Sequence, residues 1–200
     1  MTKLKLAALA ALLFTQGAVA ATSVDGAAIA DEKAGANWLS YGRTYSEQRF
    51  SPLQQITANN VGDLGVAWYM DLPGQKSLLA TPLVVDGVMF TSSAWNLTYA
   101  LDAKTGKESW RFHTTASADE PGGDTWGKVD SDKRAASPWG LPGSYDPKRK
   151  AIYFGIANPD PYTRLTRHGR HDGVPFVSPV ELYANSTVAI DINTGKLKWY

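Results

Sequence analysis

Cysteine is absent from the 200 residues, which excludes disulfides, thiolate metal sites and thiol nucleophiles, so the fold must be held by its core. A charge excess of one sign is also missing. Twenty Lys and Arg stand against 19 Asp and Glu, a balance that leaves no basic footprint for nucleic acid and no tract for a membrane surface. A spanning helix needs roughly 20 apolar residues. The run Leu6 to Phe14 has nine, so no transmembrane anchor is expected. Histidine is scarce as well. His168 and His171 stand in the polar stretch Arg167-His168-Gly169-Arg170-His171, which lacks the spacing of a metal site and reads as a solvated loop.

What is present begins with an address. Lys3 and Lys5 precede the apolar run, and Ala18-Val19-Ala20 follows it, the three-part layout of a secretory signal peptide over residues 1–20 with cleavage after Ala20. Removing that leader takes two lysines and leaves 18 basic against 19 acidic residues. Residues 21–200 then form the mature unit. Seven tryptophans and nine tyrosines supply large apolar areas for a core. Eighteen glycines and eleven prolines, with few long helical stretches, indicate a turn-rich β protein.

An internal repeat organises the chain. Thr98-Tyr99-Ala100-Leu101-Asp102-Ala103-Lys104-Thr105-Gly106-Lys107-Glu108-Ser109-Trp110 recurs 89 residues later as Thr187-Val188-Ala189-Ile190-Asp191-Ile192-Asn193-Thr194-Gly195-Lys196-Leu197-Lys198-Trp199. That offset is about twice the roughly 40–50 residues of one propeller blade. In each copy a short apolar strand runs into an Asp able to bond the amides of a turn. A Gly then supplies the positive φ that reverses the chain. The next strand alternates, with Trp110 and Phe112 on one face and Ser109 and Arg111 on the other. Asp191 to Gly195 lacks the later acidic ligands of a calcium loop, so it is a turn. Further strands are expected over Val66–Tyr69, Thr81–Val85, Val88–Thr91 and Ala151–Ile156, with Asp86-Gly87 as a hairpin turn. The stretches Ala116 to Tyr145 and Asp160 to Leu182 read as long functional loops.

The ordered set of these motifs resembles a known family. Asn37-Trp38-Leu39-Ser40-Tyr41-Gly42-Arg43, Arg49-Phe50-Ser51-Pro52-Leu53 and Ala67-Trp68 resemble the entry segment of quinoprotein alcohol dehydrogenases, and the tryptophan repeats resemble that family's blade signature. Asp119-Glu120-Pro121-Gly122-Gly123-Asp124-Thr125-Trp126 and Tyr153-Phe154-Gly155-Ile156-Ala157-Asn158-Pro159 resemble its cofactor-loop region. The resemblance implies an all-β fold, an eight-bladed β-propeller carrying pyrroloquinoline quinone (PQQ) on its axis beside calcium, with only some blades in this chain. It gives Trp139 the role of the floor under the quinone, since a flat indole stacks well on a conjugated ring. The alternative is another blade-packing tryptophan, but Trp139 alone of the seven stands in Ser-Pro-Trp-Gly within a long loop without strand alternation, which favours the cofactor role. Asn158 matches the family asparagine whose side-chain oxygen binds calcium, a cation that prefers oxygen ligands. Read locally, Asn158-Pro159 is a turn. Ser137 falls where the family has a hydroxyl or small residue near the quinone.

The chain also departs from that pattern. Leu79 stands where members have a glutamate, the adjacent cysteine pair is missing, and no Gly-Ala-Glu calcium loop is present. The first-blade ending passes straight into a loop that elsewhere follows a later blade, and no position matches the catalytic aspartate. The resemblance therefore implies PQQ- and calcium-dependent oxidation of an alcohol in the periplasm, with electrons passed to an acceptor such as a cytochrome c, this chain being an incomplete portion without a catalytic residue of its own. The alternatives are a non-catalytic periplasmic scaffold and an inactive truncated product.

Overall fold

The hairpin turns are encoded locally, and the sheets grow from them. In the computed structural model, which describes residues 22–72, 74, 79–169 and 181–200, Asp86 and Gly87 both take positive φ, 51° and 79°. That is the backbone of a two-residue turn matched to strand twist. It joins β1 (Leu83–Val85) to β2 (Val88–Ser92), with Val85 opposite Val88. β3 (Leu97–Asp102) and β4 (Glu108–His113) complete a four-stranded antiparallel sheet. A second sheet of the same design follows, from β5 (Ser144–Asp146), β6 (Ala151–Gly155), β7 (Thr187–Asp191) and β8 (Leu197–Trp199). These are two β-propeller blades, one per copy of the repeat. The expected leader over residues 1–20, and His171, lie outside the described residues.

The two repeat turns are the same object. Asp102 Oδ1 accepts from the amides of Lys104 and Thr105 at 3.1 and 2.7 Å and from the Thr105 hydroxyl at 2.8 Å. Asp191 Oδ1 accepts from Asn193, Thr194 and the Thr194 hydroxyl at 3.1, 3.0 and 3.0 Å. The glycine that follows has φ of 72° or 70° and donates its amide to the Asp carbonyl. The carboxylates spend their lone pairs inside the turn, as an Asx turn requires.

The blades are joined by a tryptophan. Trp110 lies on the outer strand β4, and its Nε1–H donates to the Ile192 carbonyl of the second blade at 2.8 Å. Its ring covers Gly195, where a Cβ would come within 2.8 Å of Trp110 Cβ. Glycine is thus required there twice, by φ and by contact. The joint adjoins a core of Leu83, Phe90, Trp110, Ile152, Phe154, Val188 and Ile190 that spans both sheets. Trp68 repeats the joint one step earlier. Its Nε1–H donates to the Ala103 carbonyl at 3.2 Å and its ring covers Gly106. Trp199, the third of the series, is 51% exposed against 6% for Trp110.

Several expectations are corrected. Val66–Tyr69 forms no strand and pairs with none that is described; of its residues only Trp68 packs, against the cluster of Leu97, Tyr99 and Leu101, while Val66 and Tyr69 are exposed. The stretch from Ala116 to Tyr145 holds two 3-10 turns, Gly123–Trp126 and Ser131–Lys133, and its end is already β5. Arg167 and His168 are not in a solvated loop. They end a short helix, α2 (Arg164–His168), the first helix α1 being Gly26–Ala30. Arg167 is buried there because the distant Glu181 supplies its counter-charge at 2.7 Å. Among the described residues no helix is long and apolar enough to cross a membrane.

Candidate functional site

Strand alternation sends the β2–β3 and β6–β7 connections to the same end of the two sheets. There, with the segment between β4 and β5, they border an open cavity of about 410 Å³, whose wall includes Trp95, Ser137, Trp139, Asn158, Asp160 and Tyr162. All three residues singled out in the sequence, Ser137, Trp139 and Asn158, meet in this one place. The Asp119–Trp126 loop does not join them. Trp126 is fully buried and donates its indole N–H to the Leu182 carbonyl, so that loop builds the support rather than the wall.

Trp139 is held out into the cavity by its backbone. The Ser137 hydroxyl accepts the Trp139 amide at 2.8 Å, and Trp139 itself has φ 55°, a left-handed conformation that costs a side-chain-bearing residue about 1–2 kcal/mol. Gly140 follows at φ 68°. A Cβ there would lie 2.8 Å from the Leu79 backbone, so only glycine lets the two segments approach. The indole is left 65% exposed. Among the described residues Trp139 is therefore no part of the buried core.

The adjoining wall is the segment that follows β6. Ala135 and Asp160 exchange backbone hydrogen bonds at 3.0 and 2.6 Å, and the Ala157 amide donates to the Ser137 carbonyl at 3.0 Å. These bonds set Asn158 and Asp160 beside the Ser137–Trp139 turn. Behind them Arg167 donates through Nη1 to the carbonyls of Pro161 and Tyr162, at 2.6 and 2.8 Å, and through Nε to Glu181. His168 Nε2 also contacts Glu181 Oε1, at 2.9 Å. Burial pushes the Glu181 carboxyl upward, but the hydrogen bonds from Arg167 and His168 outweigh it and hold the group below its ordinary value.

The wall suits one face of a planar aromatic ligand, with Trp139, Trp95 and Tyr162 as flat surfaces. It suits the rest of PQQ less well. That cofactor carries carboxylates, and no Lys or Arg is among the residues that form the wall. For calcium, Asn158 and Asp160 offer oxygen donors, fewer than the six to eight the ion takes. Among the described residues no group of three or more His, Cys, Asp or Glu could hold a metal. The residues form a partly apolar wall with two oxygen-bearing side chains, Asn158 and Asp160, at one side. Sequence reasoning missed Trp95, Asp160 and Tyr162. Trp95 sits in the four-residue β2–β3 connection, and only the position of the Trp139 turn shows that this connection faces it.

Comparison with known proteins places the sequence in a family. The family described as the β-propeller domain of PQQ glucose/ethanol/alcohol dehydrogenases matches residues 38–124 and 102–200. The chain is 58% identical over 101 residues to quinohemoprotein alcohol dehydrogenase ADH IIB of Pseudomonas putida, a match covering 50% of this chain and 15% of that protein. It is 37% identical over 173 residues to the dehydrogenase subunit of the quinone alcohol dehydrogenase of Komagataeibacter europaeus, covering 85% of this chain and 18% of the other. The solved structure of ADHIIG from Pseudomonas putida HK5 aligns with a TM-score of 0.48 at 24% identity, over 88% of this chain and 41% of that one. The chain thus spans less than a fifth of these two curated relatives. With two repeat-built blades, and family matches that run from residue 38 to residue 200, the chain belongs to the PQQ-type alcohol dehydrogenase β-propeller family.

Proposed function

We propose that this chain is a two-blade portion of an exported quinoprotein alcohol dehydrogenase, contributing the floor of the PQQ site and one calcium ligand. The observation that carries the reading is the convergence of Ser137, Trp139 and Asn158 on one cavity, with the Trp139 indole exposed into it. When bound, the quinone supplies the two-electron acceptor and the metal a Lewis acid. The chain's own residues bind and orient. Trp139 would offer its ring to one quinone face, Ser137 fixes the Trp139 turn through the amide it accepts, and Asn158 would supply a neutral oxygen to a hard cation. The substrate is an alcohol and the electron acceptor a periplasmic protein such as a cytochrome c. A relative from Thauera butanivorans is named 1-butanol dehydrogenase (cytochrome c). Export rests on Lys3, Lys5, the short apolar run and Ala18-Val19-Ala20, and N-terminal sequencing of periplasmic material should begin at Ala21.

The test is a PQQ titration of the purified chain with and without calcium, beside dye-linked alcohol oxidation, for the native protein, Trp139→Ala and Asn158→Ala. Weak saturable quinone binding that Trp139→Ala abolishes, with no turnover in any of the three, is the expected result. An absent general base removes about 10²–10⁴-fold on its own. Quinone binding indifferent to Trp139 would defeat the assignment of the floor, and robust turnover would defeat the assignment of an incomplete site.

A further inference from the structure

Buried charge is concentrated in one place behind the cavity. The side chains of Arg167, Glu181 and His168 are 8%, 8% and 10% exposed. One carboxylate oxygen, Glu181 Oε1, meets both Arg167 Nε at 2.7 Å and His168 Nε2 at 2.9 Å. Taking such groups out of water is expensive, and a buried ion pair is often no more stable than an apolar cluster of similar volume. Stability alone therefore does not account for it. What the cluster does is aim a guanidinium. Arg167 Nη1 donates to two successive carbonyls, Pro161 at 2.6 Å and Tyr162 at 2.8 Å, and no described backbone amide reaches either one. On the other side, Asp160 is fixed by its backbone exchange with Ala135. The Asp160–Tyr162 part of the wall thus hangs between one backbone bridge and one side chain.

We propose that Arg167 is a positioning residue of the cavity, holding Asp160 and Tyr162 in its wall through the Pro161 and Tyr162 carbonyls, with Glu181 as the group that holds Arg167. The inference rests on the reading of the cavity as a quinone site and adds to it a residue that is not itself in the wall. The residue type fits the role. A guanidinium is a planar fork whose N–H directions are fixed relative to one another, so the bond from Nε to Glu181 sets where Nη1 points. A lysine ammonium carries the same charge as a rotatable point and sets no such direction. The His168 contact to the same oxygen limits how Glu181 can turn. The backbone of Arg167 is tied as well. Its carbonyl accepts the Lys128 amide at 3.3 Å, and Lys128 belongs to the same β4–β5 connection that carries Ser137 and Trp139. Arg167 therefore joins the two sides of the cavity, one through its main chain and the other through its side chain.

The test separates a local loosening from a general one. Amide hydrogen exchange of the full chain, read residue by residue by NMR, is compared for the native protein, Arg167→Lys and Glu181→Gln. PQQ titration by quenching of tryptophan fluorescence runs beside it, with Trp139→Ala as the control. Arg167→Lys keeps the charge beside Glu181 and loses the fork. The amides of Ala135 and Asp160 are expected to exchange about tenfold faster or more, over and above any change in the amides of β6 and β7, which report the fold as a whole. PQQ affinity should fall about tenfold, as loss of an outer partner of a site does. Glu181→Gln should show the same pattern to a smaller degree. Exchange that rises equally at the Ala135–Asp160 bridge and in the strands makes Arg167 a general structural residue and overturns the proposal. So does a PQQ affinity that Trp139→Ala abolishes and Arg167→Lys leaves unchanged. A native chain that binds no PQQ refutes the reading of the cavity, and the exchange pattern then decides on Arg167 by itself. Where Arg167→Lys gives no cooperative melt, Glu181→Gln, which leaves the guanidinium in place, settles the same comparison.

Discussion

Trp110 and Trp199 occupy the same place in the repeat, so the same substitution at each measures what the joint between blades contributes. Trp110→Phe keeps a ring over Gly195 but deletes the N–H that reaches Ile192 at 2.8 Å. Stranding a carbonyl in this way costs about 1–3 kcal/mol, toward the low end for a group that is not fully buried. Trp110→Ala also removes a ring that is 6% exposed, for a total of about 3–5 kcal/mol. Against a stability of about 5–15 kcal/mol for a small domain, that is a large share. At Trp199, half in water, the Phe variant should cost about 0.5 kcal/mol or less. Urea unfolding of dilute protein, followed by far-UV circular dichroism so that the lost indole does not alter the signal, reads both. Equal losses at the two positions would refute the claim that the tryptophan works across the joint rather than within its own blade.

Other outcomes follow from the same geometry. Gly195→Ala meets both a φ of 70° and the Trp110 ring, whereas Gly87→Ala meets only its φ of 79° with open space around it. The second should cost about 1 kcal/mol and the first clearly more in the same urea assay. Glu181→Gln should destabilise the chain at neutral pH by stranding Arg167. The native carboxyl is held below its ordinary value, so its contribution is present above the unfolded-state pKa and is lost as pH falls through the lowered folded value. The gap between native and variant stability should therefore close in acid, and a gap constant from about pH 7 to about pH 3 would contradict the pairing. Trp139→Ala, at a 65% exposed position, should leave the urea midpoint nearly unchanged, since alanine keeps the Cβ and with it the left-handed φ of 55°. A large loss would make Trp139 a packing residue after all.

How much was legible depended on how local the cause was. The turns at Asp86-Gly87, Asp102–Lys107 and Asp191–Lys196 are written in consecutive residues, because each repeat Asp bonds the amides two and three positions on. The strands they connect followed directly. Val66–Tyr69 looked like a strand because its apolar run is strand-like, but a strand exists only with a partner, and nothing in residues 66–69 states whether one is present. Arg167 and His168 looked solvated because their neighbours in sequence are polar; the carboxylate that lets them be buried lies at position 181. For the site, Ser137, Trp139 and Asn158 were found through resemblance, and their meeting through the sheet. Trp95 and Tyr162 needed the sheet alone, since their neighbours in sequence carry no sign of the cavity.

The tryptophan joint also bears on how such a chain changes over time. Every joint seen here uses the same key and the same keyhole, a carbonyl and a glycine at fixed steps from an aspartate. Neither half encodes which blade it belongs to. Interchangeable couplings make whole blades portable: one can be cut out, duplicated or spliced to a distant neighbour, and the seam still closes with native chemistry. What such rearrangement cannot preserve is anything assembled from several blades at once. Blade number is then free to drift while a shared central pocket is not, and structure in this architecture should outlast activity.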